Sequence, residues 1–242
     1  AGADVNLVPF VTLNQAAIEQ SVDIMVDNIK EANIIFFAGG FSAADEPDGS
    51  AKFIVNILLN EKVRSAIDSF IEKGGLLIGI CNGFQALVKS GLLPYGNFAE
   101  ADDTSPTLFY NDANQHVAKM VETRIANTNS PWLAGVHVGD VHAIAVSHGE
   151  GKFIVTPEEF AVLRDNGQIF SQYVDGNGQP SMDSKYNPNG SMNAIEGITS
   201  RNGQIIGKMG HSERWEDGLF QNIPGNKDQK LFESAVRYFT GK

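Results

Sequence analysis

A single cysteine, Cys81, stands in 242 residues. One thiol excludes an internal disulfide and any zinc site built on several thiolates, so a reduced, cytoplasmic setting is expected. Basic residues are also scarce: 18 Lys and Arg face 29 Asp and Glu, for a formal net charge of −11. Phosphate neutralisation needs surplus Lys and Arg, so binding to nucleic acid or to an anionic membrane is not expected. No apolar run approaches the roughly 20 residues of a membrane-spanning helix. No secretory signal precedes the first element, and no G-x-x-x-x-G-K-[ST] pattern offers an ATP phosphate cradle. An initiator methionine is missing too. Ala1-Gly2-Ala3-Asp4 runs straight into residues 5–10, which read as a strand, so the chain is expected to begin partway through a larger polypeptide.

What the chain does hold is the run Leu76-Leu77-Ile78-Gly79-Ile80-Cys81-Asn82-Gly83-Phe84-Gln85. Large aliphatic residues lead up to the cysteine, as in a buried parallel strand. Gly79 and Gly83 bracket the cysteine and permit a sharp turn into a closely packed helix, the geometry of a nucleophile elbow with sulfur in place of oxygen. At a helix N-terminus the backbone's partial positive charge favours the thiolate. A cysteine so placed is either an exposed nucleophile or a small packed hydrophobe.

The surrounding pattern alternates. Residues 13–32 carry helical spacing through Ile18, Val22, Met25, Val26 and Ile29, and Ile34-Ile35-Phe36-Phe37-Ala38 reads as a short buried strand. Asp48-Gly49-Ser50 supplies caps for a helix to about Leu59, and a second helix over 61–73 stops at Gly74-Gly75. A helix from the elbow to Gly91 completes strand–helix repeats of the kind that build a parallel sheet with crossover helices. Residues 97–140 are polar and broken by Pro106 and Pro131, with short strand-like pieces such as Val117–Ile125. Strands follow at 143–146 and 151–155, then an irregular loop over 175–193, a hairpin around Arg201-Asn202-Gly203, and a closing amphipathic helix over 229–239.

A cysteine nucleophile needs a base. Among five histidines, His211 stands at the C-terminal end of the strand over 204–209, where α/β sheets gather their chemistry. Glu213 follows two residues later, on the same side of an extended segment, and can orient the imidazole toward Cys81. Gly39-Gly40-Phe41, also at a strand end, can aim backbone N–H groups at an oxyanion, with the Asn82 amide as a further donor. A His-x-Glu pair is equally a solvated surface pair, and a Gly-Gly turn equally a plain loop. His137, Asp140 and His142 have metal-ligand spacing, which an exposed polar turn explains as well; no metal is expected.

Taken in order, Gly79-Ile80-Cys81-Asn82-Gly83-Phe84-Gln85, Ser147-His148-Gly149-Glu150-Gly151, Asn187-Pro188-Asn189-Gly190-Ser191 and His211-Ser212-Glu213-Arg214 resemble a known family. It is the glutaminase unit of phosphoribosylformylglycinamidine synthase, a triad-type (class I) glutamine amidotransferase of purine biosynthesis. The resemblance spans nearly the whole chain. It implies an α/β, flavodoxin-like three-layer sandwich with a mostly parallel central sheet, and one glutaminase domain over residues 1–242. It also implies that the family's first strand, central in the sheet, is missing here, leaving the domain N-terminally incomplete. By resemblance Cys81 is the nucleophile, His211 the base and Glu213 its orienter. Gly40, Phe41 and Asn82 look like the oxyanion backbone, and Gln85, Ser147 and His148 like contacts to glutamine.

In the family, ammonia freed from L-glutamine passes to a synthetase region that uses ATP and Mg to convert formylglycinamide ribonucleotide. No cofactor is implied in this chain itself. Two departures stand out. Ser212 replaces the proline of a His-Pro-Glu-Arg pattern, which predicts only a local change in loop stiffness. The run Ala43-Ala44-Asp45-Glu46-Pro47-Asp48-Gly49, with Pro-Gly-Asn-Lys-Asp-Gln-Lys at 224–230, looks more like the large single-chain form than the small separate subunit. The residues alone also admit a cysteine hydrolase or peptidase of the same α/β superfamily, or a catalytically silent interaction domain.

Overall fold

The computed structural model describes residues 1–40 and 51–241. Its elements are α1 (Gln15–Glu31), β1 (Ile34–Phe37), α2 (Lys52–Leu58), α3 (Glu61–Glu72), β2 (Leu76–Ile80), α4 (Asn82–Lys89) and α5 (Leu92–Tyr95). Then come β3 (Thr107–Tyr110), β4 (Val117–Ile125), β5 (Val141–His148), β6 (Glu150–Ile154), α6 (Pro157–Asp165) and β7 (Ile169–Tyr173). The chain ends with β8 (Ile195–Thr199), β9 (Ile205–Lys208) and α7 (Leu231–Thr240). The side-chain oxygens of Asn14 and Asn60 cap α1 and α3, and Gly74 closes α3 at φ +86°.

The α/β class expected from the sequence holds, but the sheet is mixed rather than mostly parallel. Seven strands run in the order β1-β2-β9-β8-β7-β4-β5. Only β1–β2 and β2–β9 are parallel; the pairings β9–β8, β8–β7, β7–β4 and β4–β5 are antiparallel. Strands joined by a hairpin turn are antiparallel by construction, and only the N-terminal third has the crossover helices that parallel pairing needs. A separate two-stranded ribbon joins β3 to β6.

Helices cover both faces. A methyl added at Gly79 would meet Leu87 of α4, and one at Gly207 would meet Phe84 of α4. Alternation puts Phe36, in register with Ile78, on the opposite face, where its ring contacts Phe232 of α7. The core between is built from Leu76, Leu77, Ile78, Ile80, Phe84, Leu87, Ile205 and Ile206, all fully buried.

Residues 5–10 do not form the expected strand. They carry no regular structure, Val5 and Leu7 are largely exposed, and β1 is the end strand of the sheet. A strand exists only by pairing, and no neighbour brings residues 5–10 into the ladder. Four elements appear where none was expected: α5, β3, α6 and β7. Each is short, so its stability comes from the partners it meets rather than from its own periodicity. The proposed caps at Asp48-Gly49-Ser50 lie outside the described residues. No helix among the described residues is long and apolar enough to cross a membrane.

Candidate active site

Cys81 ends β2 and opens α4, with φ +54° and ψ −110°, a backbone state rarely held by a residue with a side chain. Its N–H donates to the Lys208 carbonyl at 2.9 Å, so β9 extends the ladder up to the turn. The two bracketing glycines are required by contact. A methyl on Gly79 would lie 2.7 Å from the Gly83 backbone, and one on Gly83 would lie 2.0 Å from the Phe37 carbonyl oxygen. The elbow expected from the G-x-C-x-G spacing is thus built, but its thiol is buried rather than exposed. Burial pushes the thiol up to about 11, outweighing the N–H groups of Asn82 and Gly40 and the charge of Arg214, which favour the thiolate. The helix N-terminus acts in the direction anticipated and loses to desolvation.

His211 follows β9 and is fully buried, with its N–H donating to the Ala145 carbonyl at 2.8 Å. Its Nδ1 lies 2.6 Å from Glu213 Oε1. The pairing does not come from an extended segment: residues Ser212–Arg214 form a 3-10 turn that folds the carboxylate back onto the ring. The other ring nitrogen, Nε2, is buried and has no hydrogen-bond partner among the described residues. Gly39 links the two halves of the site. A methyl there would sit 2.7 Å from His211 Cε1 and 3.0 Å from Cys81 Cβ, so the imidazole and the cysteine converge on one glycine. Beyond the N–H groups expected of Gly39 and Gly40, the space left by the absent Gly39 side chain is what lets imidazole and cysteine meet, and no local spacing signals it. Phe41 lies outside the described residues.

The facing wall is the turn between β5 and β6. Cys81 Sγ points at the Ser147 carbonyl, 3.9 Å away, and the Ser147 hydroxyl meets His116 Nε2 at 3.1 Å. Gln85 donates its amide to the Glu150 carbonyl and so braces this wall from α4. His148 turns inward: its Nδ1 meets Asn111 Oδ1 at 3.2 Å, and its ring lies where a side chain on Gly151 would be. Burial, with the nearby His211 and His116, pushes the His148 imidazole down to about 4. Nothing in the sequence signalled how the wall is held. Asn189 donates to the Gly151 carbonyl at 2.7 Å and to the Tyr173 hydroxyl at 3.0 Å, while Ser191 Oγ accepts from Phe153 N–H at 3.0 Å. The Asn-Pro-Asn-Gly-Ser motif is therefore a clamp on the turn, legible beforehand only as a motif.

Of His137, Asp140 and His142, the first two pair in an exposed turn while the third is buried. Asp140 Oδ2 accepts the His137 backbone N–H at 2.8 Å. No group of three or more metal-ligating side chains occurs among the described residues.

Comparison with known proteins identifies the family. A family model for the CobB/CobQ-like glutamine amidotransferase domain matches residues 1–239. The chain is 31% identical over 229 residues to the phosphoribosylformylglycinamidine synthase subunit PurQ of Gloeobacter violaceus, covering 93% of this chain and 90% of that protein. It is 35% identical over 190 residues to PurQ of Acaryochloris marina, covering 78% and 73%. Among solved structures, PurLQS of Thermotoga maritima superposes with a TM-score of 0.63 at 25% identity, covering 86% of this chain and 80% of that one. The glutaminase domain of Trypanosoma brucei CTPS with bound acivicin shares the fold, with a TM-score of 0.50 at 13% identity. The chain belongs to the CobB/CobQ-like glutamine amidotransferase family.

Proposed function

We propose that residues 1–242 form one glutaminase domain that releases ammonia from L-glutamine for a phosphoribosylformylglycinamidine synthase, as the names of its relatives suggest. Burial keeps the Cys81 thiol protonated at rest, so the proton leaves only as the sulfur attacks the side-chain carboxamide. His211 Nε2 takes that proton as the S–C bond forms. Glu213 holds Nδ1 and stabilises the imidazolium. The N–H groups of Gly40 and Asn82, with that of Phe41, stabilise the oxyanion. His211 then returns the proton to the departing nitrogen, the C–N bond breaks, and ammonia leaves a γ-glutamyl thioester on Cys81. Water, deprotonated by His211, cleaves the thioester to glutamate and restores the thiol.

Gln85, Ser147 and His148 belong in this reading to the wall that receives glutamine, with Gln85 acting through the Glu150 carbonyl and His148 through the Asn111 side chain. The ammonia acceptor is a synthetase region, in the same polypeptide or a partner subunit, which supplies the ATP and Mg site. A free buried thiol suits the reducing cytoplasm.

The observation that carries the reading is the 2.6 Å Nδ1–Oε1 contact together with the convergence of the His211 ring and Cys81 on Gly39. Its test is Cys81→Ala in the complete enzyme. Glutamine-dependent synthesis should vanish while ammonia-dependent synthesis persists; loss of both would mean that Cys81 is structural.

A further inference from the structure

Behind His211, on the face of the sheet opposite α4, lies a buried polar cluster that the steps above do not use. Lys208 is the last residue of β9, and its side chain has no solvent contact. An ammonium has three N–H donors, and three oxygens surround this one: Ser212 Oγ at 2.8 Å, Gln229 Oε1 at 2.5 Å and Glu196 Oε1 at 3.5 Å. Ser212 Oγ in turn donates to Gln229 Oε1 at 2.5 Å, and Gln229 reaches Thr123 Oγ1 on β4 at 3.4 Å. Glu196, on β8 and equally buried, also accepts the Gly210 N–H at 2.7 Å.

The cluster holds the turn that carries the base on both sides of His211. Glu196 fixes Gly210 just before it, and Lys208 with Gln229 fixes Ser212 just after it. The His211 backbone itself is fixed to Ala145. The turn itself is a single 3-10 bend, and Glu213 is only one residue beyond Ser212. A buried ion pair is poor as a simple stabiliser, because desolvation offsets its attraction, yet it fixes geometry sharply through directional bonds.

We propose that Lys208, Glu196 and Gln229, acting through the Ser212 hydroxyl, position the His211–Glu213 pair. Ser212 thus supplies by hydrogen bonding the rigidity that a proline at this place would supply by its ring. The proposal rests on the reading of His211 as the base. These are positioning residues and touch no substrate.

The test uses the complete enzyme with its synthetase region, comparing glutamine-dependent and ammonia-dependent turnover. Ser212→Ala should lower glutamine-dependent kcat about tenfold through misplacement of the base. The KM for glutamine should stay within about twofold, with ammonia-dependent synthesis unchanged; Ser212→Thr, which keeps the hydroxyl, should restore kcat. The double variant Lys208→Met with Glu196→Gln leaves no unpaired buried charge and should show the same kcat loss with KM kept. Parental kcat in both variants, or a raised KM at parental kcat, overturns the proposal. Cys81→Ala run alongside separates the two levels. If it still uses glutamine, the assignment of the site fails; if it is inactive while Ser212→Ala is fully active, only the positioning role fails.

Discussion

Replacing Gly39 with alanine perturbs the site by one methyl group at a known place. That methyl would stand 2.7 Å from His211 Cε1 and 3.0 Å from Cys81 Cβ. Carbon–carbon contacts settle at about 3.5–4.0 Å, so the ring would retreat by roughly 0.8 Å. It cannot do so freely, because it is fully buried and tied to Glu213 at 2.6 Å. A misplacement of this size between a base and its nucleophile costs about 10²-fold in rate, or about 2.7 kcal/mol of barrier. The two closest atoms belong to side chains and the Ile80 carbonyl oxygen stands 3.3 Å away, so the fold should tolerate the change with a modest fall in the thermal midpoint. The assay is glutamine-dependent turnover of Gly39→Ala, with ammonia-dependent turnover and the thermal midpoint measured on the same preparation. Gly176→Ala serves as the steric control, since a methyl there meets nothing within 4 Å. Glutamine turnover within threefold of the parent would refute the convergence of imidazole and thiol on Gly39.

Two pH-dependent consequences follow from burial. With the Cys81 thiol pushed up to about 11, only about one molecule in 10³ is thiolate at pH 8 in the absence of glutamine. Iodoacetamide labelling of Cys81 should therefore rise about tenfold per pH unit from pH 7 to 10, and a plateau near pH 8.5 would contradict the dominance of burial. His148 is held neutral, pushed from 6.5 down to about 4 by burial first and by His211 and His116 next. The unfolded chain binds this proton more readily than the folded one, so the contribution is complete above pH 6.5 and is lost as pH falls toward 4, by about 3 kcal/mol. Denaturant midpoints at pH 7 and 4.5 should converge when His148→Gln is compared with the parent at the same pH values. An unchanged pH dependence in the variant would count against it.

How much was legible beforehand follows the range of the interactions involved. The elbow was, because Gly79, Cys81 and Gly83 are adjacent and their steric demands act over a few residues. So were β2, β9, α3 and α7, whose apolar spacing is their own. The ribbon strand β3 and the sheet strand β7 were not, because each takes its form from strands dozens of residues away. The strand expected at residues 5–10 failed for the converse reason: a good strand sequence without a pairing neighbour stays unpaired.

The site divides in the same way. The sequence by itself determined which residue types meet: one thiol, a His-x-Glu pair, and glycines at two strand ends. The tertiary structure alone decided their state. It buried the thiol and raised its proton affinity, because desolvation depends on everything packed around it. It folded Glu213 onto His211 through a 3-10 turn rather than an extended segment, and brought Gly39 against both. It made the Asn-Pro-Asn-Gly-Ser motif a clamp and Lys208 a buried anchor, since hydrogen bonds across neighbouring strands have no spacing that a linear sequence can display.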